Sequence, residues 1–142
     1  VCEELAKAIA RDGEGATKLV ETVVAGAEST EAARAIAKTI IGSSLVKSAI
    51  FGADANWGRI IAAIGRAGVP VNTKTVDIRL GDILVLEQSR PVGFDEAEAL
   101  EYLKTNDTIG IYVNLHMGEA SATAWGCDLT YDYVRINASY RT

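Results

Sequence analysis

The nine residues from Ile109 to Met117, IGIYVNLHM, alternate between aliphatic or thioether side chains and other residues. Alternation with a period of two is typical of a strand that buries one face. After Gly118, small residues recur at every second position of EASATAW (120, 122 and 124), which indicates close packing against another element or another chain. Upstream, the segments TVDIRL and ILVLEQ are separated by Gly81-Asp82, a two-residue hairpin signal. These segments predict a sheet that contains antiparallel hairpins.

Capping residues and a 3.6-residue period predict helices between and before these strands. Three predicted helices run from Val1 to about Arg11, from Ser29 or Thr30 to about Ile41, and from Asp54 to Gly68. A fourth begins at Asp95, with Glu98 as the capping-box partner, and ends at about Lys104. The remaining apolar runs, Leu19 to Ala25, LVKSAIFG (45–52) and LTYDYVRIN (129–137), are predicted as strands. The sequence therefore predicts an α/β protein of the α+β type, a mixed, largely antiparallel sheet with covering helices in a single region, 1–142.

Charge and composition exclude several classes of function. The formal net charge of -5 and the pI near 4.9 argue against binding to nucleic acid or to an anionic membrane surface. No run of about 18 apolar residues suggests a span, and the acidic N-terminal stretch does not resemble a signal peptide. Two cysteines far apart favour neither a disulfide framework nor a zinc site, and Asp128 and Asp132 are interpreted as polar strand-face residues. A cytoplasmic protein without a metal is expected.

The stretch RDGEGATK places Glu14 between Gly13 and Gly15. A P-loop needs different glycine spacing, and a dinucleotide fingerprint needs a strand before its glycines, so neither applies. Two interpretations stay open, a plain turn with a solvated acid and a short loop that presents a carboxylate to a ligand.

Two further segments contain residues with functional potential. In GADANWGRI, Asp54 is expected to cap a helix, Trp57 to pack on it and Arg59 to pair with an acid, although Arg59 is also suited to anchoring a substrate carboxylate. His116 is the sole histidine, and no serine or cysteine is placed beside it, so a structural or exposed histidine is favoured over a catalytic one.

Three motifs together, RDGEGATK, SLVKSAIFGADANWGRIIAAIGRAG and the terminal VRINASYRT, closely resemble the ornithine acetyltransferase family. Members are also called bifunctional glutamate N-acetyltransferases of arginine biosynthesis. The resemblance covers essentially the whole chain and corresponds to the C-terminal part of the family's β subunit. It implies that the sheet belongs to a larger, layered αββα-like sandwich.

The resemblance implies an autocatalytically cleaved precursor whose β chain starts with a nucleophilic threonine. That threonine takes an acetyl group from N-acetylornithine and passes it to glutamate, and some members also use acetyl-CoA. No cofactor is implied beyond acetyl-CoA as a substrate. The implied partners are the α chain of the same precursor and a second copy, in an α2β2 assembly.

The resemblance implies that three residues of this chain bind substrate. Glu14 matches a glutamate that receives the amino group of ornithine, and Asn137 and Thr142 match residues that line the substrate pocket. This sequence begins with Val1-Cys2, so the nucleophilic threonine is expected on another segment and no catalytic residue is expected here. The alternative is a non-catalytic assembly module whose apolar strands pair with other chains.

Overall fold

The structure is a computed structural model that describes Glu4, Lys7 and residues 18–128. Glu4 and Lys7 are helical, in agreement with the predicted N-terminal helix, whose other residues lie outside the described part. Glu14, Asn137, Thr142 and the strand predicted over 129–137 also lie outside it.

The described strands form one six-stranded sheet in the order β4-β3-β2-β5-β1-β6. Among them only β1 and β5 pair in parallel, and every other neighbouring pair is antiparallel. The strands are β1 (Leu19–Ala27), β2 (Asp77–Leu80), β3 (Ile83–Glu87), β4 (Arg90–Pro91), β5 (Thr108–Asn114) and β6 (Ala120–Cys127). The predicted mixed, largely antiparallel sheet and the hairpin at Gly81-Asp82 are therefore confirmed.

Four described helices accompany the sheet. They are α1 (Thr30–Gly42), α2 (Ser44–Phe51), α3 (Trp57–Gly65) and α4 (Glu96–Thr105). None of the helices in the described part is long and apolar enough to cross a membrane.

Helix α1 lies directly on the sheet and explains the row of small residues in β6. Ser29 caps α1 by accepting a hydrogen bond from the Ala32 N–H, and Ile36 and Ile40 are fully buried. A side chain at Gly126 would meet Ile41 at 3.1 Å, so β6 must stay small where α1 crosses it. The predicted close packing of the alanine row against another element is confirmed.

The prediction of a strand over LVKSAIFG is wrong, because these residues form α2. Val46, Ala49 and Ile50 are buried at a spacing of three and four, which is a helical period. Ser43 provides the N-cap by accepting a hydrogen bond from the Val46 N–H. The short apolar run alone did not separate the two possibilities, because the spacing of its buried residues is set by how the segment packs.

The predicted cap of α3 is also wrong. Asn56, not Asp54, accepts the hydrogen bond from the Arg59 N–H, and α3 ends at Gly65 rather than at Gly68. Asp54 instead accepts a hydrogen bond from the Asn56 side chain (3.1 Å). By contrast, Asp95 caps α4 as predicted, through bonds from the Ala97 and Glu98 N–H groups.

The two faces of the sheet have different surroundings. Toward α1, the side chains of Val20, Thr22 and Val24 from β1 and of Ile111 and Val113 from β5 are buried. The opposite face, called the second face below, is only partly covered by described residues. This face is formed by alternate residues of β1, β2, β5 and β6, including Glu21, Val23, Ala25, Asp77, Arg79, Tyr112, Asn114 and Trp125.

Candidate functional site

The three residues predicted to bind substrate, Glu14, Asn137 and Thr142, lie outside the described residues, so their roles stay predictions. The structure does describe where the flanking strands start and end. Because β1 is parallel to β5 and antiparallel to β6, one end of the sheet holds the starts of β1 and β5 together with the end of β6. The segment that contains Glu14 leads into β1, and the segment with Asn137 and Thr142 follows β6.

Two hydrogen bonds link Lys18 and Asp128 at this end of the sheet. The Lys18 N–H donates to Asp128 Oδ1 (2.9 Å), and the Asp128 N–H donates to the Lys18 carbonyl (3.3 Å). Asp128 is 1% exposed, so its carboxylate depends on protein donors. The interpretation of Asp128 as a strand-face polar residue is therefore wrong, because it follows β6 and is buried.

The side chain of Lys18 reaches the C-terminus of α4. Its Nζ donates to the carbonyl of Lys104 (3.1 Å) and to the carbonyl of Asn106 (2.6 Å). A cation is favoured there because the last carbonyls of a helix are unpaired and carry its negative dipole end. The adjacent Leu19 N–H donates to the Asp107 carbonyl (2.8 Å), so the start of β1 is also fixed to the segment that enters β5.

A cluster of polar and aromatic groups lies on the second face, close to the end of the sheet that holds Lys18 and Asp128. Glu21 accepts a hydrogen bond from Trp125 Nε1 (2.8 Å), and Lys7 Nζ lies 4.0 Å from Glu21 Oε2. The same ammonium lies 5.5 Å from the centre of a Trp125 ring, within the range of a cation–π contact. These contacts place Lys7 over the second face near the start of β1.

Tyr112 separates two open hollows on the second face. One, of about 360 Å3, is bordered by Val23, Ala25, Asp77, Arg79, Tyr112, Val113 and Asn114. The other, of about 500 Å3, is bordered by Gly81, Asp82, Ile83, Glu98, Glu101, Tyr102, Thr105, Asn106 and Tyr112. Burial, and then the neighbouring charges of Glu21, Tyr102 and Asp82, raise the pKa of Tyr112 above its ordinary value. Its phenol, like that of an ordinary tyrosine, is protonated at neutral pH and can donate a hydrogen bond.

His116 forms an exposed hydrogen bond with Asp77 rather than part of a catalytic triad within the described residues. Its Nε2 lies 2.6 Å from Asp77 Oδ2, and its ring is 39% exposed. The other carboxylate oxygen of Asp77 accepts the Gln88 N–H (2.8 Å). Burial acts to raise the pKa of Asp77, but the bonds from Gln88 and His116 outweigh it and hold the pKa below its ordinary value. The favoured prediction of a structural or exposed histidine is confirmed.

Arg59 does not pair with an acid in the described part of the chain, contrary to expectation. Its Nη1 donates to the Leu45 carbonyl (2.8 Å), which joins α3 to the start of α2. Trp57 is the first residue of α3 and packs against the hydrophobic core, rather than on that helix as expected. The role of Arg59 as an anchor for a substrate carboxylate stays a prediction.

Lys18 and Asp128 are the residues that sequence reasoning missed. They are 110 positions apart, and no spacing or motif links them. Only the order and direction of the strands bring them together. Within the described part of the chain, no three His, Cys, Asp or Glu side chains are grouped so that they could hold a metal ion.

The fold is that of a known class of mixed α/β proteins. A solved structure, the arginine biosynthesis bifunctional protein argJ from Bacillus halodurans, superposes with a TM-score of 0.96 at 62% identity, over 98% of this chain and 65% of that one. The profile of the ArgJ family matches residues 1–142. The chain belongs to the ArgJ family.

Curated relatives agree with this assignment. The chain is 63% identical over 141 residues to the "Arginine biosynthesis bifunctional protein ArgJ" of Halalkalibacterium halodurans, and 60% identical over 141 residues to the protein of that name from Geobacillus kaustophilus. Each alignment covers 99% of this chain and 34% of the relative. The chain thus spans about a third of the length of the curated relatives it matches.

Proposed function

We propose that this chain acts in arginine biosynthesis as the substrate-binding part of a glutamate N-acetyltransferase whose nucleophile is an N-terminal threonine. The observation that carries the proposal is the match of residues 1–142 to the ArgJ family, together with 63% identity over 141 residues to an arginine biosynthesis bifunctional protein. The hydrogen bonds between Lys18 and Asp128 join the start of β1 to the end of β6, and these are the described residues that precede and follow the segments with Glu14 and Asn137 in the sequence.

The proposed chemistry proceeds through an acetyl-enzyme. The threonine hydroxyl, deprotonated by its own amine, attacks the acetyl carbonyl of N-acetylornithine. The amide C–N bond breaks, and ornithine leaves after its nitrogen takes the proton. The amine of glutamate then attacks the acetyl ester, which releases N-acetylglutamate and returns the proton to the threonine oxygen. Acetyl-CoA is a further proposed donor, and no resident cofactor is required.

In this scheme the chain contributes recognition. Glu14 receives the side-chain ammonium of ornithine through a charge-assisted hydrogen bond worth about 1.5–3 kcal/mol. Asn137 and Thr142 line the same pocket with neutral hydrogen-bonding groups. The threonine and the groups that stabilise the oxyanion come from other segments, in a cytoplasmic assembly with an α chain and a second copy (α2β2).

Denaturing mass spectrometry tests the proposal. A full-length ArgJ protein that includes this chain is incubated with N-acetyl-L-ornithine, every polypeptide is weighed before and after, and peptide mapping locates the added acetyl group. We expect the acetyl group on an N-terminal threonine and none within residues 1–142. An acetyl group on residues 1–142, or on no chain at all, contradicts the proposal.

One observation favours a second candidate function, a non-catalytic assembly module. Tyr112 is 37% exposed on the second face, beside the two hollows, and such a face suits a partner sheet. The two candidates differ in ligand response, because only a ligand site is stabilised by mass action. A rise in the Tm of the full-length protein with added ornithine supports the enzyme, and an unchanged Tm at saturating ornithine supports the module.

A further inference from the structure

We infer that the hollow of about 360 Å3 on the second face, called the Arg79 hollow below, binds a small monocarboxylate. The donors are the guanidinium of Arg79, the phenol of Tyr112 and the side-chain amide of Asn114. The inference does not rest on the proposed function, because it uses none of the residues that are proposed to bind substrate.

Strand pairing brings these donors to one place. Arg79 of β2 lies opposite Tyr112 of β5, and Asn114 is two positions further along β5, on the same face. The Cβ atoms of directly opposite residues in an antiparallel pair are about 5 Å apart. On the other side of β5, strand β1 contributes Val23 and Ala25. The register of three strands therefore brings three donors and two apolar side chains to the border of the Arg79 hollow.

The three donors have no acceptor within the part of the chain that the structure describes. Arg79 is exposed and forms neither an ion pair nor a hydrogen bond with any described side chain. The side-chain oxygen of Asn114 accepts the His116 N–H (3.0 Å), which leaves the NH2 group of the amide as a donor. The phenol of Tyr112 also lacks a described acceptor.

The carboxylate that borders the hollow, Asp77, is already occupied. One of its oxygens accepts the Gln88 N–H (2.8 Å), and the other lies 2.6 Å from His116 Nε2. A border with more donors than available acceptors favours a ligand that supplies oxygen acceptors, and the planar fork of Arg79 matches a carboxylate. The charge of Asp77 opposes a second negative charge on the ligand, so a monocarboxylate is favoured over a phosphate dianion.

The size and lining of the hollow restrict the rest of the ligand. A volume of about 360 Å3 is at the lower end of the range for small-molecule sites, about 300–1,000 Å3. Because Ala25 is small and Val23 is apolar, the hollow has room beside the donors for a short aliphatic body. Butyrate has both features and is the probe for the test.

A saturation-transfer NMR titration of a full-length ArgJ protein that includes this chain, with butyrate at pH 7, tests the inference. We expect a Kd of about 1–10 mM for so small a ligand, and much weaker binding of butyramide, its neutral counterpart. Arg79→Met should weaken butyrate binding at least about tenfold, as for the loss of a charge-assisted hydrogen bond. The matched control is Arg90→Met, since Arg90 is an exposed arginine on β4 that does not border the hollow, and its Kd should equal that of the wild type.

Two results overturn the inference. One is butyrate binding no tighter than that of butyramide, and the other is an equal Kd in the wild type and in Arg79→Met. If Arg79→Met does not fold, Arg79→Lys, which keeps the charge without the fork, takes its place, and an unchanged Kd would exclude recognition by the fork.

An Ala25→Val variant tests the location independently of the donors. Valine suits a strand and fills part of the hollow, so butyrate binding should be lost while Arg79 is retained. An unchanged Kd in this variant would show that butyrate binds elsewhere on the protein and would overturn the assignment to the Arg79 hollow.

Discussion

The imidazole of His116 and the carboxylate of Asp77 meet at 2.6 Å where β5 ends and β2 begins. The contact links two turns of unfavourable backbone geometry, since His116 (φ 54°) and Gln88 (φ 49°), both bonded to Asp77, lie in the left-handed region. Such residues persist only where their surroundings hold them. Asp77 therefore helps to hold both turns in place.

The pKa of Asp77 gives this contact a pH dependence. The pKa is lowered in the folded state, so the unfolded chain binds the proton more tightly. The stabilisation is therefore complete above the ordinary value of 3.8 and is lost as pH falls below it through the folded pKa. We expect Asp77→Asn to lower the free energy of unfolding by up to about 1 kcal/mol at pH 7, since the pair is partly exposed, and by much less at pH 3.

Urea denaturation at pH 7, 5 and 3 measures this difference. Glu119→Gln is the control, because Glu119 is exposed and has no described partner. If Asp77→Asn lowered the free energy of unfolding equally at all three pH values, the carboxylate charge would not contribute to stability.

Thr22 offers a stabilising substitution. Its hydroxyl is fully buried on the face toward α1 and has no hydrogen-bond partner among the described residues. An unpaired buried polar group costs about 1–3 kcal/mol, and valine has nearly the same shape. We expect Thr22→Val to raise the free energy of unfolding by about 1 kcal/mol, measured by urea denaturation.

Thr75→Val is the matched control for this test. The Thr75 hydroxyl donates to the Leu115 carbonyl (2.9 Å), so the same chemical change should destabilise the protein there. Equal destabilisation by both variants would mean that the Thr22 hydroxyl has a partner after all.

Gly26 is predicted to tolerate a side chain less well than Gly68. Both glycines have positive φ (70° and 76°), so backbone strain on substitution by alanine is similar. A Cβ at Gly26 would meet the Asn114 side chain and lie 2.7 Å from the main-chain nitrogen of His116, whereas a Cβ at Gly68 meets nothing within 4 Å. We expect Gly68→Ala to cost about 1 kcal/mol and Gly26→Ala at least about 1 kcal/mol more. Thermal unfolding compares the stability of the two variants. Equal losses of stability would contradict the crowding at Gly26.

The parts of the fold that depend on local sequence patterns were predicted correctly. Period-two alternation located β5, the Gly81-Asp82 pair located the hairpin, and Ser29 and Asp95 marked the starts of two helices correctly. These signals work because turn and cap geometry depends on a few adjacent residues.

The failures share a physical cause, since each depends on contacts beyond the local pattern. The strand predicted over 45–52 is a helix because its burial against α1 and α3 follows a spacing of three and four. Asp54 and Asn56 are both good cap residues, and it is Asn56 that accepts the hydrogen bond from the Arg59 N–H. The junction of Lys18 with Asp128 requires knowledge of strand order, which no local feature of either segment contains.

The most direct test of the central claim, that this chain recognises ornithine through Glu14, is KM for N-acetylornithine in a full-length ArgJ protein with Glu14→Ala. The account predicts a rise of at least about tenfold, the loss of one charge-assisted hydrogen bond, while the Tm stays close to that of the wild type. Wild-type KM in a variant that folds normally would contradict the claim.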